Sequence, residues 1–306
     1  MTQACNLIVI LGPTATGKTA LAAYLADKLG TEMISADSRQ VYRGMDIGTG
    51  KDYEDYIVAG KQVPVHLVDI VDAGYKYNVY EYQRDFFRIF QDLEIEKKLP
   101  VLCGGTGLYI EAVLKGYKLI KVPDNMKLRD SLKDKSMIEL KEQLMSFKKL
   151  HNTTDLKHRK RLMRAIEIET YYACHSEEES DTPQIRPLII GTKLNREERR
   201  RRITKRLRKR LDEGMLEEVR NLLAGGVSKE TLIYYGLEYK YLAMYLDGKL
   251  NFEEMFGQLE TAIHRFAKRQ MTWFRGMEKR GFTIHWVDAL APKEENVDII
   301  QRKLLK

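Results

Sequence analysis

The chain of 306 residues is poor in the residues on which disulfide-rich and zinc-binding proteins depend. Its three cysteines, Cys5, Cys103 and Cys174, are odd in number and have no CxxC spacing, which excludes a disulfide framework and a zinc ribbon. The six histidines form no metal-ligand pattern, and no zinc-finger spacing follows the last predicted helices. We therefore expect the cysteines to be buried thiols in a reducing compartment.

Long apolar runs are also missing. The longest such run near the start, Leu7–Leu11, is far below the roughly 20 residues that a membrane-spanning helix needs, and no signal peptide is visible. Hydrophobic residues make up 43% and charged residues 31%, as in an average soluble domain. We expect a folded cytoplasmic protein without a membrane partner.

Positive charge is concentrated in the second part of the chain. Residues 1–119 have 13 basic and 15 acidic side chains, whereas residues 120–306 have 39 and 29. Such an excess attracts polyanions by releasing their condensed counterions. A solvated helix face would give the same count, so charge alone leaves both interpretations open.

Short apolar runs alternate with amphipathic stretches, which predicts an α/β fold with a parallel sheet flanked by helices. The predicted strands are 7–11, 32–36, 63–70, 99–103 and 188–190, with an edge strand at 282–287. The predicted helices of this core are 18–29, 79–95, 196–223 and 252–275, the last closed by Gly276 and Gly281.

A phosphate-binding loop lies between the first strand and the first helix. The segment matches the pattern G-x-x-x-x-G-K-[ST] with Gly12, Pro13, Thr14, Ala15, Thr16, Gly17, Lys18 and Thr19. In such a loop backbone N–H groups surround phosphate oxygens, Lys18 neutralises them and Thr19 can hold Mg²⁺. The loop predicts binding of a diphosphate or triphosphate but does not say whether the anion belongs to a nucleotide.

The carboxylate that a nucleoside triphosphatase uses to hold Mg²⁺ and water has no good candidate. Asp69 has apolar neighbours, and we assign it a structural role. Asp37 ends the predicted strand 32–36, at the edge of the sheet where the phosphate loop also lies, so we expect it to face the phosphates. The alternative is that Asp37 and Ser38 cap a helix.

Strand signals disappear between residues 124 and 172, where leucine, methionine and isoleucine recur at helical spacing. We therefore predict a P-loop NTPase-like core, residues 1–120 and 184–306, and a small helical insertion domain, residues 121–183. The acidic segment 177–181 is interpreted as a linker or exposed loop.

Four separated blocks resemble the tRNA dimethylallyltransferase family in order and spacing: GPTATGKT (12–19), ADSRQVYRGMDIGTGK (36–51), GGTGLYI (104–110) and HRFAKRQMTWFR (264–275). The resemblance implies transfer of a dimethylallyl group from dimethylallyl diphosphate to the exocyclic amine of adenine at tRNA position 37, with release of pyrophosphate. It also implies Mg²⁺ as cofactor and tRNA, through its anticodon stem-loop, as partner; we expect a monomer. A diphosphate substrate would explain why no water-activating carboxylate is found.

The resemblance also implies roles for individual residues. Asp37 is the expected base, and Thr14 and Arg206 are expected at the diphosphate. Expected tRNA contacts are Asp37, Ser38, Arg39, Gln40, Thr106, Arg129, Lys160, Arg161, Leu162, Met163, Arg164, Arg269 and Gln270. For Arg206 the alternative is one more solvated arginine among the ten basic residues between positions 196 and 210.

The sequence departs from the family pattern in the insertion and in Gly236-Leu237-Glu238-Tyr239, where Gly-Tyr-Lys-Glu is usual. Three other functions therefore stay open. An adenylate isopentenyltransferase would use free AMP, ADP or ATP, although such a substrate needs no long basic surface. A small-molecule kinase is supported by the phosphate loop alone, and a non-catalytic RNA-binding protein could retain the same fold.

Overall fold

The computed structural model describes residues 5–147, 158–175 and 182–305. The segment 177–181, predicted as a linker, lies outside these ranges. In the part of the chain that is described, no helix is long and apolar enough to cross a membrane.

A six-stranded sheet forms the centre of the protein. Its strands are β1 (Leu7–Leu11), β2 (Met33–Ala36), β3 (Val65–His66), β4 (Val101–Gly104), β5 (Pro187–Lys193) and β6 (Ile284–Asp288). Their order is β6-β5-β1-β4-β2-β3, and every pairing is parallel. The carboxyl ends of β1, β2 and β4 therefore meet at one edge, where ligands of open parallel sheets bind.

Helices cover both faces of the sheet. In chain order the helices are α1 (Lys18–Leu29), α2 (Val79–Ile95), α3 (Gly107–Leu114), α4 (Met126–Leu132), α5 (Met137–Phe147), α6 (Arg159–Cys174), α7 (Arg196–Asp212), α8 (Met215–Ala224), α9 (Lys229–Tyr235), α10 (Leu237–Leu246), α11 (Phe252–Lys279) and α12 (Lys293–Leu304). Along β1, Leu7, Val9 and Leu11 enter one hydrophobic core, and Ile8 and Ile10 enter the other. Burial on both faces explains the continuous apolar runs in the sequence and confirms the predicted fold class.

The chain divides into two compact units, Met1–Gly116 with Pro183–Lys306, and Tyr117–Thr182. The second unit is helical. Its α4, α5 and α6 enclose a small core of Leu132, Leu140, Leu144, Leu162 and Ile166.

Two predicted elements differ in length from the structure. The predicted helix 196–223 is divided into α7 and α8 because Gly214 adopts a left-handed φ of 99°. The predicted strand 63–70 shortens to Val65–His66 because Leu67 and Asp69 have φ values of 62° and 55°, which end the ladder. Apolar composition alone does not reveal such turns.

Two smaller expectations also need correction. Helix α11 continues through Gly276 to Lys279 instead of ending at that glycine. Of the cysteines, Cys103 is buried, Cys5 is partly buried and Cys174 is exposed, so only one is the buried thiol that we expected.

Candidate active site

A cavity of about 360 Å³ lies at the carboxyl edge of the sheet. Its walls come from six segments: the phosphate loop, the turn after β2, the chain leading into the 3₁₀ turn Tyr53–Tyr56, helix α7, the α9–α10 junction, and helix α11. The residues predicted to bind diphosphate or the target base that line it are Thr14, Ala15, Gly17, Lys18, Thr19, Asp37, Arg39, Gln40, Arg206 and Gln270. Segments that are far apart in the sequence thus line one common cavity.

The phosphate loop wraps the N-terminus of α1. Ala15 and Gly17 have φ values of 65° and 71°, and α1 begins at Lys18, so the positive end of its dipole faces the cavity. The predicted loop residue Thr16 does not reach the cavity, because it is buried and its Oγ1 bonds to Pro13 O at 2.9 Å and to Thr192 Oγ1 at 2.8 Å. These hydrogen bonds of Thr16 hold the phosphate loop against the end of β5.

Burial lowers the pKa of Lys18 from its ordinary value of 10.5. The thiol of Cys103 lies nearby, and burial raises its pKa to about 12, so it stays protonated at neutral pH. An anion in the cavity would favour the charged form of Lys18. The site is therefore arranged to gain electrostatic energy when a diphosphate enters.

Two arginines from one face of α7 line the same cavity. Arg206 Nη2 lies 2.6 Å from Asp52 Oδ2, and Arg210 Nη2 lies 3.4 Å from Asp52 Oδ1. Arg210 is 8% exposed, and burial, followed by the charge of Arg206, lowers its pKa. Together with Lys18, these arginines place three cations at the cavity, and Asp52 forms ion pairs with both arginines. Arg206 is thus a cavity residue and not a freely solvated arginine.

The turn after β2 presents Asp37 to the cavity. Asp37 Oδ1 accepts a hydrogen bond from Arg39 N at 2.9 Å, which closes an Asx-type turn, and no helix follows it directly. The helix-cap alternative for Asp37 is therefore wrong. The turn is tied to the loop after β4, because Ser38 N donates to Thr106 Oγ1 at 3.0 Å.

Comparisons with known proteins agree with this geometry. The family model described as IPP transferase matches residues 40–277, and that described as isopentenyl transferase matches residues 5–67. The chain belongs to the IPP transferase family. It is 64% identical to "tRNA dimethylallyltransferase 2" of Phocaeicola vulgatus over 96% of each chain, and 62% identical to the protein of that name from Bacteroides fragilis over 98% of each chain. The crystal structure of the tRNA isopentenylpyrophosphate transferase of Bacillus halodurans has a TM-score of 0.70 and 30% identity, and the match covers 98% of this chain and 96% of that one.

Within this IPP transferase, Gln270 connects two loops of the site. Its Oε1 accepts from Thr14 N at 2.9 Å, and its Nε2 donates to Gly105 O at 3.0 Å. A Cβ atom at position 105 would lie 2.3 Å from Gln270 Nε2, so glycine is required for this approach. Gln270 was expected at the tRNA, but its buried amide holds the phosphate loop against the loop after β4.

We expect Gln270→Ala to raise the KM for dimethylallyl diphosphate and to lower kcat by about 10²-fold, the effect of a misplacement near 1 Å. The adjacent, exposed Arg269 is the matched control: Arg269→Ala should raise only the KM for tRNA. Steady-state kinetics with each substrate varied separately measures both effects. A Gln270→Ala enzyme with unchanged KM for the diphosphate would contradict this role.

Two residues that sequence analysis missed fix the loop over residues 42–51. Glu218 accepts from the backbone N–H groups of Asp46, Ile47 and Gly48 at 2.7, 2.7 and 3.0 Å, and from Tyr239 OH at 2.7 Å. The other residue, Lys51, has a fully buried side chain that donates to Tyr42 O at 2.6 Å and to Asp46 Oδ1 at 2.8 Å. In the sequence, Lys51 is only the last residue of the block 36–51, and Glu218 is one of several acids in an amphipathic stretch, so neither role could be predicted.

Other predicted residues have mixed outcomes. Gln40 lines the cavity, and its Nε2 also donates to Gly50 O at 3.0 Å. Lys51 contacts the carboxylate of Asp69, as expected for a structural residue. In α11, Phe274 is buried in the core, and Phe266 lines the cavity.

In the insertion unit, the side chain of Leu162, a predicted tRNA contact, is fully buried in the three-helix core and does not reach the surface. Arg129 lies 2.9 Å from the buried carboxylate of Glu167, and Arg164 binds the same carboxylate. Burial acts to raise the pKa of Glu167, but these hydrogen bonds outweigh it and hold the pKa below its ordinary value. Both arginines thus have an internal partner.

The remaining predicted residues of α6 differ in exposure. Lys160 and Arg161 are exposed on the surface of the unit, and Met163 is partly buried against its core. Of the predicted tRNA contacts in α6, Lys160 and Arg161 are therefore the cations most accessible to an external anion.

Proposed function

We propose that this chain transfers a dimethylallyl group from dimethylallyl diphosphate to N6 of the adenosine at tRNA position 37, beside the anticodon. The observation that carries the proposal is one cavity that holds both the phosphate loop with Lys18 and the carboxylate of Asp37. The names of the similar proteins, tRNA dimethylallyltransferase and tRNA isopentenylpyrophosphate transferase, support the same activity.

The diphosphate lies against the phosphate loop. As the bond between C1 of the dimethylallyl group and the diphosphate oxygen breaks, negative charge builds on the departing pyrophosphate. Lys18, Arg206 and the hydroxyl of Thr14 stabilise that charge, which gives them most effect in the transition state. No water needs to be activated.

The hydroxyl of Thr19, which lines the cavity at the start of α1, is an oxygen ligand of the kind that Mg²⁺ prefers. Among the described residues no group of three or more His, Cys, Asp or Glu side chains is placed to hold a metal. A magnesium ion would thus be held by Thr19 jointly with the diphosphate. When bound, it neutralises charge on the phosphate oxygens.

The acceptor amine is a weak nucleophile because its lone pair is delocalised into the adenine ring. Asp37 accepts the proton from N6 as the bond from N6 to C1 forms. The base must leave the stack of the anticodon loop to reach the cavity. The turn of Ser38, Arg39 and Gln40 and the linked Thr106 then surround it.

A cationic surface on the core unit supports tRNA as the acceptor. Burial, followed by the positive charges of Arg196 and Arg275, lowers the pKa of Arg199. No described carboxylate forms an ion pair with these three arginines. With Arg269 they provide sites for backbone phosphates.

Incubation with labelled dimethylallyl diphosphate and either tRNA or AMP tests the proposal. We expect label in the tRNA, released from it as modified adenosine, and no more than trace label in AMP. A tRNA lacking adenosine at position 37 is the control. Efficient transfer to AMP would instead identify an adenylate isopentenyltransferase, and phosphate transfer from ATP a kinase.

Binding to tRNA should weaken steeply as salt concentration rises. Replacing both Lys160 and Arg161 by alanine should reduce the slope of log Kd against log salt by roughly one unit for each phosphate contact removed. Lys127→Ala, an exposed lysine of the same unit, is the matched control and should leave the slope unchanged. Equal slopes for all three proteins would remove Lys160 and Arg161 from the interface.

A further inference from the structure

Helix α9 ends beside the cavity with two consecutive tyrosines that face different environments. The helix stops after Tyr235 because Gly236 adopts a φ of 80°. Tyr235 is buried and lines the cavity, whereas Tyr234 is 58% exposed. The pair thus marks the boundary between the cavity and its outer surface.

Tyr235 is held firmly. Its hydroxyl accepts from Gly74 N at 2.6 Å and donates to Tyr75 O at 3.2 Å. Its ring lies 4.6 Å from that of Tyr42, between ring centroids. These contacts fix the end of α9 and, through the shared backbone, the position of Tyr234.

Arg39 joins the two tyrosines to the turn after β2. Its guanidinium carbon lies 5.5 Å from the ring centroid of Tyr235 and 5.9 Å from that of Tyr234. Among the residues that the structure describes, no carboxylate forms an ion pair with Arg39. A cation and an exposed ring therefore stand together at the cavity rim without an acidic partner.

We propose that Tyr234, backed by Arg39, is a stacking platform for the nucleobase next to the target adenosine. The inference rests on the proposed function. Extruding one base removes stacking from its neighbours, and aromatic rings and guanidinium planes replace such stacking in single-stranded RNA. The positive charge of Arg39 suits the phosphate that joins the two nucleotides.

The surroundings of Tyr234 favour this binding role over a structural one. No described side chain forms a hydrogen bond with its hydroxyl, and the ring is mostly outside the core. Replacing it should therefore leave the fold and the diphosphate site intact. A free AMP, which has no neighbouring base, would gain nothing from this surface.

The test uses an anticodon stem-loop with 2-aminopurine at position 36 or 38, because stacking quenches the fluorescence of this base. With the wild-type protein we expect binding to quench the probe at one of the two positions. Tyr234→Ala should abolish that quenching and raise the Kd for the stem-loop about tenfold, within the range of aromatic stacking. Tyr234→Phe should restore both values, and Tyr234→Leu, which keeps apolar area without a π face, should not.

Phe252→Ala is the matched control, because Phe252 is 46% exposed in the same unit and does not line the cavity. It should bind and quench like the wild type, and thermal unfolding should be alike for all variants. If the wild type modifies the stem-loop while Tyr234→Ala keeps its affinity and quenching, the platform is wrong and the proposed function stands. If the wild type neither binds nor modifies the stem-loop, the proposed function fails and the platform with it.

Discussion

Replacing Asp37 by asparagine should reduce the rate of dimethylallyl transfer by about 10²–10⁴-fold, the usual contribution of a positioned general base. The substitution is close to isosteric. Asparagine keeps the Oδ1 atom that accepts from Arg39 N, so the turn after β2 should remain closed. Only the basicity is lost. Single-turnover measurements with saturating tRNA isolate this step from binding.

Binding provides the control for Asp37→Asn. The Kd for tRNA and that for pyrophosphate should stay within a few fold of the wild-type values, because the carboxylate acts mainly in the transition state. Ser38→Ala, in the same turn, should retain most of the rate. Transfer by Asp37→Asn within tenfold of wild type would remove Asp37 as the base.

Replacing Lys18 by methionine should have opposite effects on activity and stability. We expect the transfer rate to fall by about 10²–10³-fold, as when one donor to a developing oxyanion is removed, and pyrophosphate binding to weaken at least about tenfold. The unliganded protein should nevertheless unfold at a higher temperature than the wild type. The reason is that burial lowers the pKa of Lys18, so its charged form is disfavoured in the folded state.

The pH dependence of that gain has a defined sign. Because the folded-state pKa of Lys18 lies below the usual 10.5, the cost of its charge is constant at lower pH and disappears as pH rises through the folded-state value towards 10.5. The difference in unfolding temperature between Lys18→Met and wild type should therefore shrink in alkaline solution. A variant that is less stable at neutral pH, or one that binds pyrophosphate normally, would contradict the role of Lys18.

Local sequence patterns predicted the fold and part of the site well. The phosphate loop and the strand before it could be read directly, because a short motif and its flanking apolar runs determine both. The place of Asp37 followed from the rule that parallel strands end at one edge. The predicted bounds were right for α1, which directly follows the loop motif, and for α2, whose hydrophobic periodicity is strong.

The roles of residues that act through contacts with distant parts of the chain could not be predicted from the sequence. Glu218 accepts hydrogen bonds from three backbone N–H groups about 170 residues earlier in the chain. Gln270 bonds to two loops that come next to α11 only in the folded protein. The family resemblance predicted that Leu162 of α6 contacts the RNA. In the structure Leu162 lies on the buried face of α6 and packs in the core of its unit. Composition gives the number of charged residues, but it does not show which cations are already paired within the protein. Arg164, for example, forms an ion pair with the buried carboxylate of Glu167.

The bond between Thr14 N and Gln270 Oε1 spans 256 positions of the chain. During synthesis on a ribosome, the phosphate loop is made long before its partner, which emerges only after α11 has been translated. Each nascent chain therefore passes through a long period in which the sheet can begin to form while the diphosphate site is still unfinished. Two segments that lie far apart in the chain together form the cavity, so a product truncated before α11 should be unable to compete for the isoprenoid substrate.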